Sequence, residues 1–413
     1  MGAFRKLKRP AAGPTVRRPP AHHPRRPTAW LAIVAVLLAA GHAATLAPAT
    51  ARAADRPVRI LAGPADELDP AAQGDIGSAA ISAQLFESLT AIDATLQTRP
   101  ALAASWDFRD GGQTVVFHLR PGLTFSDGSP LTAADVVRSW FRIIDPSSPS
   151  PLVSLMGEVD GALAFAHGAS ADRASVGLTA DGNDVVVKLN RAATDFPTIV
   201  SSPTFGIVPP ALSTGTGSIA PGSAFVGSGG YTIAAQDATS TTLAANPHYW
   251  AGPPAVATIQ LVHDIGGRSS VDAFVSNDLD LTDVSPYDAT WIAYDQALGP
   301  QLRRTDGLSL QYYGFDTSRP PFDDVRVRQA FARAVDWRRL VSLASTGTDT
   351  PATGMVPPGI PGRSDTDFLP PLDRDGARAL LAAAGYPGGR GFPQTVLLGG
   401  AAEDRAFAAE IQQ

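Results

Sequence analysis

LSLQYYGFDTSRPPFDDVRVRQAFARAVDWRRL, residues 308–340, is the stretch from which the rest of the chain is read. Leu308, Leu310, Tyr312 and Phe315 mix apolar and aromatic side chains as a short strand does. Pro320 and Pro321 end it, and Asp323 and Asp324 stand where a helix N-cap belongs. Val327, Ala330, Phe331, Ala334 and Val341 then recur at helical spacing, with Arg326, Gln329, Arg333 and Asp336 on the opposite face. A strand that passes through a Pro-Pro turn into an amphipathic helix suits a crossover between two lobes. On this stretch alone, an ordinary strand–loop–helix unit is the simpler account.

Working outward, 413 residues leave room for two or three domain-sized units with a substantial core. Charged residues make up 17% and hydrophobic residues 44%, which predicts a mostly globular chain. The 39 glycines and 36 prolines call for many turns.

The first 54 residues are different in kind. They carry nine basic groups (Arg5, Lys6, Lys8, Arg9, Arg17, Arg18, Arg25, Arg26 and Arg52) and no acid. An apolar run, AWLAIVAVLLAA at 29–40, is followed by a small-residue tail ending Ala51-Arg52-Ala53-Ala54. A basic segment, a short apolar core and an A-x-A-like site read together as a secretory signal peptide cleaved near Ala53/Ala54. The run falls short of the roughly 20 residues that span a bilayer, and an uncleaved anchor is the alternative. Without these nine, 24 of the 33 basic groups remain against 39 acidic ones, a net charge of −15. Such a surface repels nucleic acid and anionic membranes. The chain has no cysteine, so export brings neither disulfides nor a lipid-bearing thiol, and the expected location is periplasmic or secreted.

Along the remainder, VRILA at 58–62 is a compact strand, followed by a turn-rich loop at 63–70 and a helical pattern over 78–89. Loops after the carboxyl ends of strands are common ligand positions in α/β folds. TVVFHL at 114–119 reads as a strand with Val116, His118 and Arg120 on the face away from Val115, Phe117 and Leu119. Thr132, three residues before Asp135, resembles a capping box, and its helix presents Val136, Val137, Trp140, Phe141 and Ile144 before Asp145-Pro146 stops it.

Catalytic signatures are missing: no G-x-S-x-G, H-E-x-x-H, G-x-x-x-x-G-K-[ST] or helix-opening G-x-G-x-x-G occurs. His22, His23, His42, His118, His167, His248 and His263 are scattered, and none of the last four is paired at metal spacing. His118 reads as structural, and Asp127 and Asp135 as turn and cap residues. The expectation is a chain with no catalytic residues, metal or cofactor.

Several long segments carry a resemblance. LFESL at 85–89, RPALAASW at 99–106 and DGGQTVVFHLRPGLTFSDGSPLTAADVVRSWFRIIDP at 110–146 resemble the solute-binding proteins of peptide/nickel-type ABC transporters, family 5. VGSGGY at 226–231 is similar to that family's V-G-T-G-P-Y turn, with Gly230 in the place of the proline. NPHYWAG at 246–252, PPFDDVRVRQAFARAVD at 320–336, PATGMVPPGIPG at 351–362 and ALLAAAGYPGG at 379–389 follow in family order, over about 57–413.

The resemblance implies an α/β, two-lobed periplasmic-binding-protein-like fold of the class II type with an extra subdomain. Residues 55–92 and 224–310 would form lobe I, 93–223 its subdomain, and 311–413 an incomplete lobe II. A helix like AAEDRAFAAEIQQ at 401–413 lies well before the end of family members, so the expectation is a fragment, or else a truncated relative. By the same resemblance, Pro64, Ala65 and Asp66 contact ligand at the first crossover, and Tyr312, Tyr313 and Gly314 form a second-lobe edge. Arg405 falls near where dipeptide binders place an arginine for the ligand carboxylate, which a guanidinium fork suits. Asp66 capping its own turn and Arg405 as a solvated helix residue stay open as alternatives. Gly314 has no side chain where some relatives offer a carboxylate.

The implied function is capture of a short peptide by a monomer that delivers it to the permease of an ABC importer. An extended peptide offers one donor and one acceptor per residue, so strand edges on two closing lobes bind it through its main chain. A nickel chelate, an opine, an oligosaccharide or a ligand-sensing role is the alternative.

Overall fold

Strand β1 (Val58–Leu61) begins the described chain and runs parallel to β10 (Thr258–Val262), with Val58 opposite Ile259. The computed structural model describes residues 56–64, 67–212, 225–305, 307–344, 349–396, 408 and 411. Strand β9 (Ser240–Ala245) lies antiparallel between β10 and β8 (Tyr231–Gln236), giving the sheet order β1-β10-β9-β8. Helix α1 (Ile76–Leu85) is capped by Asp75, whose carboxylate accepts the Ser78 N–H at 2.8 Å, so it begins two residues ahead of the expected 78–89 and ends four short of it. The period marks the buried face, while the cap marks the end. Leu68, Ile81, Leu85, Phe86, Val208, Tyr231, Leu243 and Leu261 form the core of this part.

Strands β2 (Thr90–Ile92) and β3 (Thr98–Pro100) pair antiparallel as a two-stranded ribbon, and a second four-stranded sheet is antiparallel throughout, in the order β4-β5-β7-β6. Its strands are β4 (Ala103–Arg109), β5 (Thr114–Leu119), β6 (Leu178–Asp181) and β7 (Asp184–Lys188). The expected strand over 114–119 forms, but its two faces are not cleanly apolar and polar. Val116 is as buried as Val115 and Phe117, because central strands are also covered by their neighbours' side chains. Helix α2 (Ala133–Ile143) covers the inner face and is held at its start by Asp135, which accepts the Thr132 N–H at 2.8 Å and its hydroxyl at 2.7 Å. Trp140 meets Phe205 edge-on at 5.2 Å and Phe117 and Phe196 at 6.4 Å, the geometry ring quadrupoles favour.

The two cores share one hinge-like segment. Leu85 and Phe86 enter the first core and Leu89 the second, so the LFESL stretch ties both together. Asp69, after β1, is paired with Arg142 of α2, both almost fully buried. This fixes the β1 loop against the second core.

The region beyond 307 departs from expectation in two ways. Residues 308–315 belong to no strand: the sheet β1-β10-β9-β8 has its edges at β1 and β8 and does not include them, and apolar alternation makes a strand only where a neighbour completes a ladder. The alternation itself survives, with Phe315 inside and Tyr312 67% exposed. Second, the helical period across Val341 is not one helix. Helix α3 (Val325–Ala334) begins at Asp324, whose carboxylate accepts the Arg326 N–H at 2.8 Å, and ends where Val335 turns extended. Asp336 then accepts the Arg339 N–H at 3.1 Å and opens α4 (Trp337–Ala344). An aspartate competes for backbone N–H groups, so the period continues across a cap. Helix α5 (Arg374–Ala383) packs on α3, and Phe315, Phe322, Phe331, Tyr386 and Phe392 form an aromatic cluster with centroid distances of 4.9–6.3 Å.

Candidate functional site

The carboxyl end of β1 delivers the chain into the loop at 63–70. The Ala62 N–H still bonds to the Val262 carbonyl at 3.0 Å, after which Gly63 and Pro64 leave the sheet and are exposed. Downstream the loop is anchored: the Glu67 carboxylate accepts the Asp69 N–H at 2.9 Å, and Asp69 is held by Arg142. An exposed loop on a fixed base is what a ligand contact at Pro64 requires. Ala65 and Asp66 lie outside the described residues, as does Arg405.

Tyr312, Tyr313 and Gly314 are placed on the segment between the last strand and α3. Tyr312 points to solvent, while the Tyr313 ring lies 6.3 Å from that of Trp337. The two tyrosines therefore face different ways, as the alternation requires. A Cβ on Gly314 would meet only the Tyr312 ring, at 3.7 Å, so backbone is accessible beside that ring. Of the seven candidate residues, the structure thus brings together Tyr312 and Gly314, turns Tyr313 onto Trp337, and leaves Pro64 on a separate element.

A cavity of about 860 Å³ lies elsewhere, where the two cores meet. It is lined by Phe86, Glu87, Ile199, Gly230, Tyr249 and Pro254 among others, and includes neither Pro64 nor residues 312–314. Its position follows from backbone packing. The Glu87 N–H donates to Ser228 Oγ at 2.9 Å, and that hydroxyl donates to the Ile207 carbonyl at 2.6 Å. Fully buried Asn246 accepts the His248 N–H at 2.9 Å and donates to the Gly229 carbonyl at 2.9 Å, which sets Tyr249 over the cavity. Burial pushes the Glu87 carboxyl above the ordinary glutamate range, opposed by the Tyr249 hydroxyl, the Trp250 indole and the Arg120 guanidinium. Burial, and then the Glu87 charge, push the Tyr249 phenol up in turn. Arg120 lies 3.9 Å over the Trp250 ring and donates to the Ala101 carbonyl at 2.6 Å. Glu87 and Tyr249 were not among the candidate residues. The available signal was an acid inside an apolar run, LFESL, with no local partner.

His118 bridges two carboxylates across three strands: Nδ1 lies 2.8 Å from Asp184 Oδ1 and Nε2 2.9 Å from Asp107 Oδ2. These bonds hold its imidazole above the usual histidine range. Among the described residues no group of three or more His, Cys, Asp or Glu side chains is placed to hold a metal ion.

Against known proteins, residues 97–413 match the family model described as "Bacterial extracellular solute-binding proteins, family 5 Middle". The chain is 34% identical over 332 residues to the "Probable deoxycholate-binding periplasmic protein YgiS" of Escherichia coli, covering 77% of this chain and 61% of that one. It is 29% identical over 374 residues to the periplasmic oligopeptide-binding protein OppA of Escherichia coli, covering 85% and 68%. Among solved structures, the Escherichia coli murein tripeptide binding protein MppA superposes with a TM-score of 0.74 at 23% identity, over 86% of this chain and 71% of that one. The fold is therefore the two-lobed α/β fold of periplasmic binding proteins.

Proposed function

The chain belongs to the family 5 bacterial extracellular solute-binding proteins, and on that premise we propose that it captures a short peptide outside the cytoplasm and passes it to an ABC importer. The observation that carries the reading is the exposure of Tyr312 and Gly314, on a segment outside every described sheet in a chain related to an oligopeptide-binding protein. Main-chain groups there and in the loop around Pro64 would pair with a ligand's backbone, and no reaction on the ligand is involved. Ala65, Asp66 and Arg405 complete the proposed contacts, with Tyr313, its ring turned onto Trp337, contributing through its main chain.

In this reading residues 1–54 direct export, residues 55–92 and 224–310 make one lobe, 93–223 its subdomain and 311–413 belong to the other. The grouping of sheets β1-β10-β9-β8 and β4-β5-β7-β6 supports that division. The protein works as a monomer whose closed form docks on the permease.

A second reading, an amphipathic non-peptide ligand, is favoured by the 34% identity to a relative named for deoxycholate. Calorimetric titration with trialanine and with deoxycholate separates the two. Saturable heat from trialanine supports the peptide reading; heat from deoxycholate alone overturns it.

A further inference from the structure

We propose that the cavity between the two cores is a second ligand site, taking a small organic cation with an apolar body. Its lining carries one ionisable acid, Glu87, and no basic side chain. The Arg120 guanidinium, whose charge acts on Glu87, is engaged over Trp250 and on the Ala101 carbonyl and is not part of the lining. Phe86, Tyr231 and Tyr249 supply aromatic walls, and Ile92, Ile199 and Pro254 aliphatic ones. A carboxyl among ring faces attracts an alkylammonium by charge and by the ring quadrupoles together. An anion would meet Glu87 with Arg120 held outside the lining, and a purely apolar ligand would leave the carboxyl only its Tyr249, Trp250 and Arg120 partners. A volume of about 860 Å³ is in the range of small-molecule sites.

One part of the wall is formed by a small residue. Gly230 exposes bare backbone beneath Tyr249: an added Cβ would lie 3.7 Å from Tyr249 Cε1 and 3.5 Å from Pro254 Cγ. Gly230 is not in the left-handed region, and among the described residues its N–H donates no hydrogen bond. A proline ring there would fill this gap without removing a bond.

The test is a titration of the full chain with phenethylammonium chloride, using 2-phenylethanol as the neutral control. Saturable one-to-one binding of the cation, at least about tenfold tighter than the alcohol, is expected. Gly230→Pro should weaken it by about tenfold or more with an unchanged thermal midpoint, and Glu87→Gln should abolish the preference for the cation. Tyr312→Ala should retain it. Equal binding of cation and alcohol, no saturation, or wild-type affinity in Gly230→Pro would each overturn the proposal. So would loss in Tyr312→Ala, which would place the probe in the peptide cleft.

Discussion

The carbonyl oxygen of Leu85 lies 2.2 Å from the point a Cβ would occupy on Gly227, and the same oxygen accepts the Gly229 N–H at 2.9 Å. The helix end that carries Leu85 and the VGSGGY turn touch backbone to backbone, with no room for a side chain. Gly227→Ala forces one of two buried main chains to move. A loss of about 3 kcal/mol or more is expected in urea unfolding, or failure to accumulate as folded protein. A loss under about 1 kcal/mol would show that the turn relaxes freely.

Asp69 and Arg142 are the most buried ion pair among the described residues, with side-chain exposures of 4% and 12% and a second contact of 2.8 Å. Removing one partner strands the other charge. Arg142→Met should destabilise by about 3–5 kcal/mol, while the Asp69→Leu/Arg142→Met pair should cost clearly less than the sum of the single changes. Additivity in the double-mutant cycle would argue against a coupled pair.

His118 gives a pH dependence of known sign. Its folded pKa is raised from 6.5 by hydrogen bonds to Asp107 and then Asp184. Its contribution is therefore fully present below about 6.5 and fades as pH rises through the higher folded value. The thermal midpoint should fall from pH 6 to pH 8.5 more in the wild type than in His118→Gln. Parallel profiles would remove the histidine from the account.

Glu87 works in the same direction at lower pH. Burial raises its carboxyl above 4.5, so the folded chain holds a proton that the unfolded chain releases. Stability contributed by this group declines as pH rises from about 4.5 through the folded value. Glu87→Gln, which stays neutral, should flatten that part of the profile, and an unaltered slope between pH 4.5 and 7 would contradict it.

Tyr312 is 67% exposed, so Tyr312→Ala should change stability by less than about 0.5 kcal/mol. If the peptide reading holds, affinity for trialanine drops about tenfold or more, as for an aromatic contact. Unchanged affinity would move the site away from the segment at 311–314.

Local signals are legible in the sequence. β5 forms over the expected six residues, Thr132 with Asp135 and Asp324 cap the expected helices, and the tyrosines at 312 and 313 alternate. Each depends on neighbours within about four residues. What was not legible is pairing at a distance. The strand pattern at 308–315 has no ladder among the described sheets, a condition its own residues cannot encode. The Val335–Asp336 break hides inside an unbroken apolar period. Glu87 meets Tyr249 only because Gly227, Gly229 and Asn246 bring two turns onto one helix end.

The parallel pairing of β1 with β10 also sets an order of events. The first described strand finds its partner about 200 residues later, so the sheet cannot close while most of the chain is still unmade or still in transit. Long loop closure of this kind slows folding, and a slow-folding chain remains threadable. For a polypeptide read as one that crosses a membrane before it works, the first strand acts as a latch that the last strand of its own sheet must arrive to fasten.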